Sequence, residues 1–427
     1  MSQEVFVFTS STKKKLLILG MAGVLLTVLG IIILSFFGHG HDEETAHEIA
    51  GHAFHWTQRL YVDLWINNVY FIGLAIIGIF FFAVQYAAQA GWSSSLIRIP
   101  LAFGSWLPYA LVILLAVFYL SNFSTHWHLF HWLDHSLYDK TLTNGSPNPN
   151  YDPIIADKES YLNLPFYIIR LFGIFLVWMA FFFYMRKINF REDIEGGVMH
   201  YRRLISLSAI FIIFFALSSA VAAWDWIMSI DTHWFSTIFG WYVFASWFAA
   251  GLSAITLFVI LLKENGYLPM ITADHIHDLG KYVFAFSIFW TYIWFSQYLL
   301  IYYANIPEES IYFVERLKND LYTPVFFLNI LLNFFFPFLV LMTRDAKRHG
   351  VFLKIVCIVV LFGHWLDFYL MVTPGTLQEN GGFGFIEIGT ILVFMAAFLF
   401  VVLNGLTKSA LVPKNHPMLQ ESLHHHT

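Results

Sequence analysis

The side chains able to do acid–base chemistry are few, and several stand where charge is hardest to keep. His364 and Asp367 lie three residues apart inside an apolar run, so on a helix they share a face. Arg170 and Glu387 occupy two other such runs, Lys281 lies near the inner end of a third, and Gln297, Thr291, Asn329 and Asn333 add polar groups at depth. An ionisable group inside a bilayer is costly unless it is paired or hydrated. Proton transfer is the chemistry such a set supports. We therefore read His364, Asp367, Glu387, Arg170, Lys281 and Gln297 as candidates for a proton path. The competing reading is a set of ion pairs and amide contacts that join helices. By helical rise, Arg170 lies about 9 Å from the outer end of its run, with Asp367 at nearly the same depth.

A second cluster is the run WDWIMSIDTHWFST from Trp224 to Thr237. Its tryptophans suit the headgroup level of a membrane, while Asp225, Asp231 and His233 place ionisable groups in one turn. Such a turn could hold a quinol headgroup, pass protons to the surface or bond a docked subunit, and spacing alone does not choose. Histidines recur in two other places. His39, His41, His47, His52 and His55 fall among acids, without the recurrent spacing of a zinc site. A hydrated loop contacting a partner is expected there. His128, His131 and His135, with His126 just before them, fit one face of a short helix on the membrane surface. No metal ligand and no catalytic residue is assigned. A transmembrane haem needs two axial ligands, and His364 is the one histidine well inside an apolar run, so no haem is expected in this chain. The single cysteine, Cys357, offers neither an intrachain disulfide nor a cluster site. His424, His425 and His426 are given no function.

The elements that must position these groups are plain from hydropathy. Hydrophobic residues make up 58% of the 427 residues and charged residues only 12%. Ten apolar stretches, at 15–37, 64–86, 97–121, 164–186, 201–223, 236–262, 279–304, 321–343, 351–373 and 384–406, each approach or exceed the roughly 20 residues a crossing helix needs. Only helices satisfy the backbone in such a setting, so an all-α polytopic membrane protein of ten transmembrane helices is predicted. The whole chain, 1–427, reads as one integral membrane domain, with larger outer loops at 38–63 and 122–163. Of 23 lysines and arginines, only Arg59, Lys140, Lys158, Arg316 and Lys318 fall in outward segments, and Arg170 lies within a helix. The positive-inside rule then places both termini in the cytoplasm. The first stretch is longer than a signal peptide's apolar core and reads as a retained anchor. The short inner loops could not fold as soluble domains, and no nucleic-acid partner is expected.

The run Ser218-Ser219 through WDWIMSIDTHWFSTIFGWYVF, with DLGKYVFAFSIFWTYIWFSQYLLIYYANIPEE from Asp278 to Glu309, resembles the smaller of the two large membrane subunits (ActF-type) of alternative complex III. These subunits are related to the NrfD-type quinol-interacting membrane proteins, and the resemblance covers essentially all ten helices. It implies two four-helix bundles, helices 2–5 and 6–9, flanked by helices 1 and 10. It also implies a subunit of a bacterial quinol:cytochrome c or quinol:oxidase oxidoreductase in the inner membrane, binding no cofactor of its own. Partners would be the larger NrfD-like membrane subunit, an iron–sulfur subunit, c-type cytochrome subunits carrying the haems, lipids and a haem–copper oxidase. The family's quinol site is assigned to the larger subunit, leaving architecture and a proton route to this chain. Two alternatives stand beside it. One is a quinol-binding role for this chain, with Asp225, Asp231, His233 and Arg170 around the headgroup. The other is an independent proton-coupled transporter, which predicts broken helices around a midplane site; Pro324 and Pro337 bracket the eighth stretch.

Overall fold

A computed structural model describes residues 5–37, 55–124, 127–141 and 145–426. Ten helices among them are long and apolar enough to cross a membrane: α1 Ser10–Phe37, α2 Trp56–Ala87, α3 Arg98–Phe123, α4 Leu164–Glu195, α5 Met199–Trp226, α6 Phe239–Glu264, α7 Ala273–Ala304, α8 Thr323–Val340, α9 Gly350–Leu377 and α10 Phe385–Leu406. The protein is an all-α polytopic membrane protein, as its hydropathy predicts. Helices α2, α3, α4 and α5 pack in one ring and α6, α7, α8 and α9 in another. The two bundles join where α2 meets α6 and α9, and where α5 meets α6. Helix α1 packs along α10, which in turn lies on α2 and α3.

Burial follows this plan. In α2 and α6 the apolar window is 89% buried, against 11% in α1, so the first two form the centre and α1 is peripheral. Close approach of α2 and α6 depends on a small residue. A Cβ on Gly73 would lie 1.8 Å from Cδ1 of Trp247, whose indole N–H donates to the Val69 carbonyl at 3.2 Å. Small residues at helix interfaces let backbones approach in this way.

Prolines shape three helices. Helix α3 holds a 3-10 segment at Gly104–Trp106, with Pro100 before it and Pro108 just after. In α8, Pro337 has no N–H for the Asn333 carbonyl, and the turn Leu331–Phe335 widens into a π-helix. Pro374 lies inside the last turns of α9.

Both chain ends lie on one face, where Val5 bridges Ala410 and the Val7 N–H donates to the Tyr267 hydroxyl at 3.3 Å. We call this the near face and the opposite one the far face. The C-terminal segment runs across the near face. Arg98 donates to the Ala410 carbonyl at 3.0 Å, and Ser422 bonds Ser95 at 2.7 Å. His425, which was given no role, lies 2.6 Å from the Asp278 carboxylate.

Three expectations are corrected. The outer loop drawn as 38–63 ends before Trp56, because Arg59 and Asp63 dilute the hydropathy of what is already helix α2. Arg316, read as an outer-loop cation, is buried in an amphipathic helix, Pro307–Leu317. His131 and His135 lie in two separate 3-10 turns, His131–Leu133 and His135–Leu137, and His128 precedes both, its Nδ1 bonded to the Asn122 carbonyl oxygen at 2.7 Å; the three do not share one helix. His39, His41, His47, His52 and His126 lie outside the described residues.

Candidate functional site

Asp367 is the hub of the second bundle. It is fully buried on α9, ten residues from the far end of that helix, or about 15 Å by helical rise. Donors reach it from three other helices. The Tyr242 hydroxyl on α6 donates to Oδ1, Asn329 on α8 donates to Oδ1 at 2.8 Å, and the Trp290 indole on α7 donates to Oδ2 at 2.9 Å. A hydrogen bond to a charged group contributes about 1.5–3 kcal/mol, so this carboxyl ties four helices together whatever else it does.

The helical spacing explains how each neighbour arrives. Tyr242 and Ser246 are one turn apart on α6; the first faces Asp367 and the second holds Nδ1 of His364 at 3.0 Å. His364 and Asp367 do share a face, but Nδ1 and Oδ2 stand 4.0 Å apart. That is too long for a direct hydrogen bond and leaves the span of a bridging water. Nε2 of His364 is buried without a partner among the described residues. Asn333 donates to Oδ1 of Asn329 at 2.6 Å from within the π-turn. A Cβ on Gly363 would come within 2.3 Å of Oδ1 of Asn333, so the glycine admits this amide against α9. π-turns are rare and often occur where function needs them.

Beside Asp367, toward the far face, Tyr242, Gln297, Arg316, Asn329 and Tyr312 line a cavity of about 10 Å³. That is room for roughly one water. Both amide atoms of Gln297 are buried there without a partner among the described residues, and such a pair calls for a water. Arg316 closes the cavity. Its Nε donates to the Leu370 carbonyl at 2.8 Å and its Nη2 to that of Met371 at 3.1 Å, with the guanidinium 3.3 Å over the Tyr312 ring. Leu370 is the residue whose helical donor Pro374 removes.

The remaining candidates do not join this hub. Arg170 pairs bidentately with Asp225, Nε to Oδ2 at 2.6 Å and Nη2 to Oδ1 at 3.0 Å, between α4 and α5. Glu387 on α10 is clamped by Arg59 on α2. Lys281 and Asp278 form a pair of 2.5 Å at the near face, on the other side of the membrane region. Gln297 alone among the outlying candidates lines the cavity. The proposed turn Trp224–Thr237 is also divided. Asp225 closes helix α5 and is buried, whereas His233 is exposed and 2.5 Å from Asp152. Asp231 stands between them, its Cβ and Oδ2 each 3.4 Å from where a Cβ on Gly375 would lie. Burial disfavours the charge on Asp152, but the His233 contact and the N–H groups of Ile155 and Ile154 outweigh it and hold this carboxyl below its ordinary value. Sequence reading missed Tyr242, Trp290, Asp63 and Arg316. The first two carried a signal, since both lie in the aromatic runs that bear the family resemblance.

No group of three or more His, Cys, Asp or Glu able to hold a metal occurs among the described residues. Compared with known proteins, the chain matches no family model and no curated protein.

Proposed function

We propose that this chain is a membrane-integral subunit of a bacterial quinol-oxidising complex of the alternative complex III kind, and that Asp367 carries protons in it. One observation carries the reading. The two runs that bear the resemblance, 224–244 and 278–309, converge on one buried carboxyl through Tyr242 and Trp290. The same two runs are stitched together at the far face, where Trp234 donates to the Glu309 carbonyl at 3.1 Å.

The chemistry of the neighbours sets a direction. Trp290 can only donate and cannot relay a proton. Tyr242 both donates and accepts, and it lines the one-water cavity with Gln297. A proton leaving Asp367 toward the far face therefore goes by Tyr242 and that water. On the near side, His364 and Ser246 are the groups able to accept and donate in turn. Quinol oxidation releases protons with its electrons. In this reading the electrons pass to iron–sulfur and haem-bearing partner subunits, and this chain handles protons. A quinol bound in this chain fits less well. Arg170 and Asp225 occupy each other, and the cavity beside Asp367 is far below the roughly 300–1,000 Å³ of a small-molecule site. The near face, which carries most of the lysines and arginines, is the cytoplasmic side in this proposal, with both termini inside.

The test has two parts. A tagged full-length chain should co-purify with multihaem and iron–sulfur subunits; solitary purification would refute the assembly. In that complex D367N should lower the number of protons released per electron. An unchanged ratio would refute the proton role while leaving the assembly standing.

A further inference from the structure

A second buried acid site lies outside the Asp367 hub, between α2 and α10. Asp63 is one turn from Arg59 on α2 and is 2% exposed. It is also one turn from Asn67. Arg59 and Asn67 bond Glu387 and Thr390 of α10 respectively, so Asp63 faces the start of α10, and its Oδ2 has no partner among the described residues. Glu387 is already fully engaged. Arg59 grips both of its oxygens, and the Gly384 N–H donates to Oε2 at 2.7 Å.

The charge count does not balance with both acids ionised. Among the described residues, Arg59 is the cation bonded at the pair. The phenols nearby, Tyr369 on α9 and Tyr322 at the start of α8, have their protons committed, to the Gly382 carbonyl at 2.8 Å and the Gln378 carbonyl at 2.7 Å. Two carboxylates beside one guanidinium in a dry site repel, which favours a shared proton over two charges. An unpartnered oxygen on a buried anion is the costlier state; a protonated Asp63 instead has an O–H to donate toward Glu387. We propose that Asp63 and Glu387 share one exchangeable proton beside Arg59, making a proton-holding site that opens to the far face.

The location fits exchange with water. Arg59 stands three residues into α2, and its side chain is 11% exposed, whereas that of Glu387 is 1% exposed. The site is separate from Asp367. Two α9 side chains lie near it: Trp365, whose indole N–H donates to Asn67 Oδ1 at 3.0 Å and cannot relay protons, and Tyr369, whose proton is committed to the Gly382 carbonyl. The inference therefore does not depend on the quinol-complex reading.

Infrared spectroscopy of the full-length chain as purified tests it directly. The spectrum at neutral pH should contain a C=O band of a protonated carboxylic acid that shifts in heavy water and persists in D367N/E192Q, which removes the buried carboxyls of Asp367 and Glu192. The band should vanish in D63N and in E387Q alike, because removing either acid leaves the other paired with Arg59 and ionised. If either variant fails to fold, carboxyl-13C aspartate or glutamate incorporated into D367N/E192Q should shift the same band. Absence of the band, its persistence in both variants, or its indifference to both labels would overturn the proposal.

Discussion

Arg316 and Pro374 form a compensating pair whose energetics can be worked from the structure. Proline at 374 leaves the Leu370 carbonyl without its helical donor, and Arg316 supplies one at 2.8 Å, with a further bond of 3.1 Å to the Met371 carbonyl. R316M removes both donors. It leaves the Leu370 carbonyl buried and unsatisfied, at about 1–3 kcal/mol, and forfeits roughly 2 kcal/mol of desolvated cation–π contact with Tyr312. Some of this is offset because a guanidinium need no longer be buried. P374A returns a backbone N–H to the same carbonyl. The arginine's contribution should therefore fall when Pro374 is gone, with a coupling of about 1–3 kcal/mol in a double-mutant cycle. The assay is denaturant unfolding of the full-length chain in detergent for wild type, R316M, P374A and the double variant. An equal penalty for R316M in both backgrounds would refute the reasoning, since the arginine would then not be replacing the missing backbone donor. P374A should also let the far end of α9 straighten and reshape the cavity beside Asp367.

Two further outcomes follow from the same kind of accounting. R170M should destabilise the chain by about 3–5 kcal/mol, because Asp225 is left as a buried unpaired anion, whereas R170M/D225N should recover much of that loss; comparable unfolding of the single and double variants would contradict the pairing. His416 packs between Tyr86 and Tyr201, and burial, aided by Arg98, lowers its pKa from 6.5 to about 4. Its folded pKa is depressed, so the neutral ring's contribution is complete above pH 6.5 and is lost as pH falls toward about 4. The C-terminal segment should become protease-sensitive over that window, and H416F should make its release independent of pH.

Hydropathy made the ten helices legible because a bilayer leaves the backbone no other way to satisfy itself. It blurred the ends for a definite reason. Arg59 and Asp63 lower the apolar score at the start of α2, and the polar run after Met185 hides the last turns of α4, yet both regions are helical, and several of their charges find partners on other elements. The Arg98–Asp193 contact of 2.7 Å is one such pair. Depth was legible only as far as the helix ends were: α9 continues to Leu377, past the apolar stretch ending at 373, so Asp367 lies deeper than Arg170 rather than level with it.

Azimuth was not. Arg170, Asp367 and Glu387 all stand in the far half of their helices, and nothing in one dimension says which way each side chain points. Arg170 found Asp225, 55 residues away, and Glu387 found Arg59, 328 residues away. Asp367 collected its donors from α6, α7 and α8. The amino-acid sequence by itself determined a ten-helix membrane protein with a small stock of costly polar groups. Only the packing of the two bundles decided which of those groups neutralise one another and which keep an oxygen or nitrogen unspent, because pairing depends on helix rotation and neighbour order.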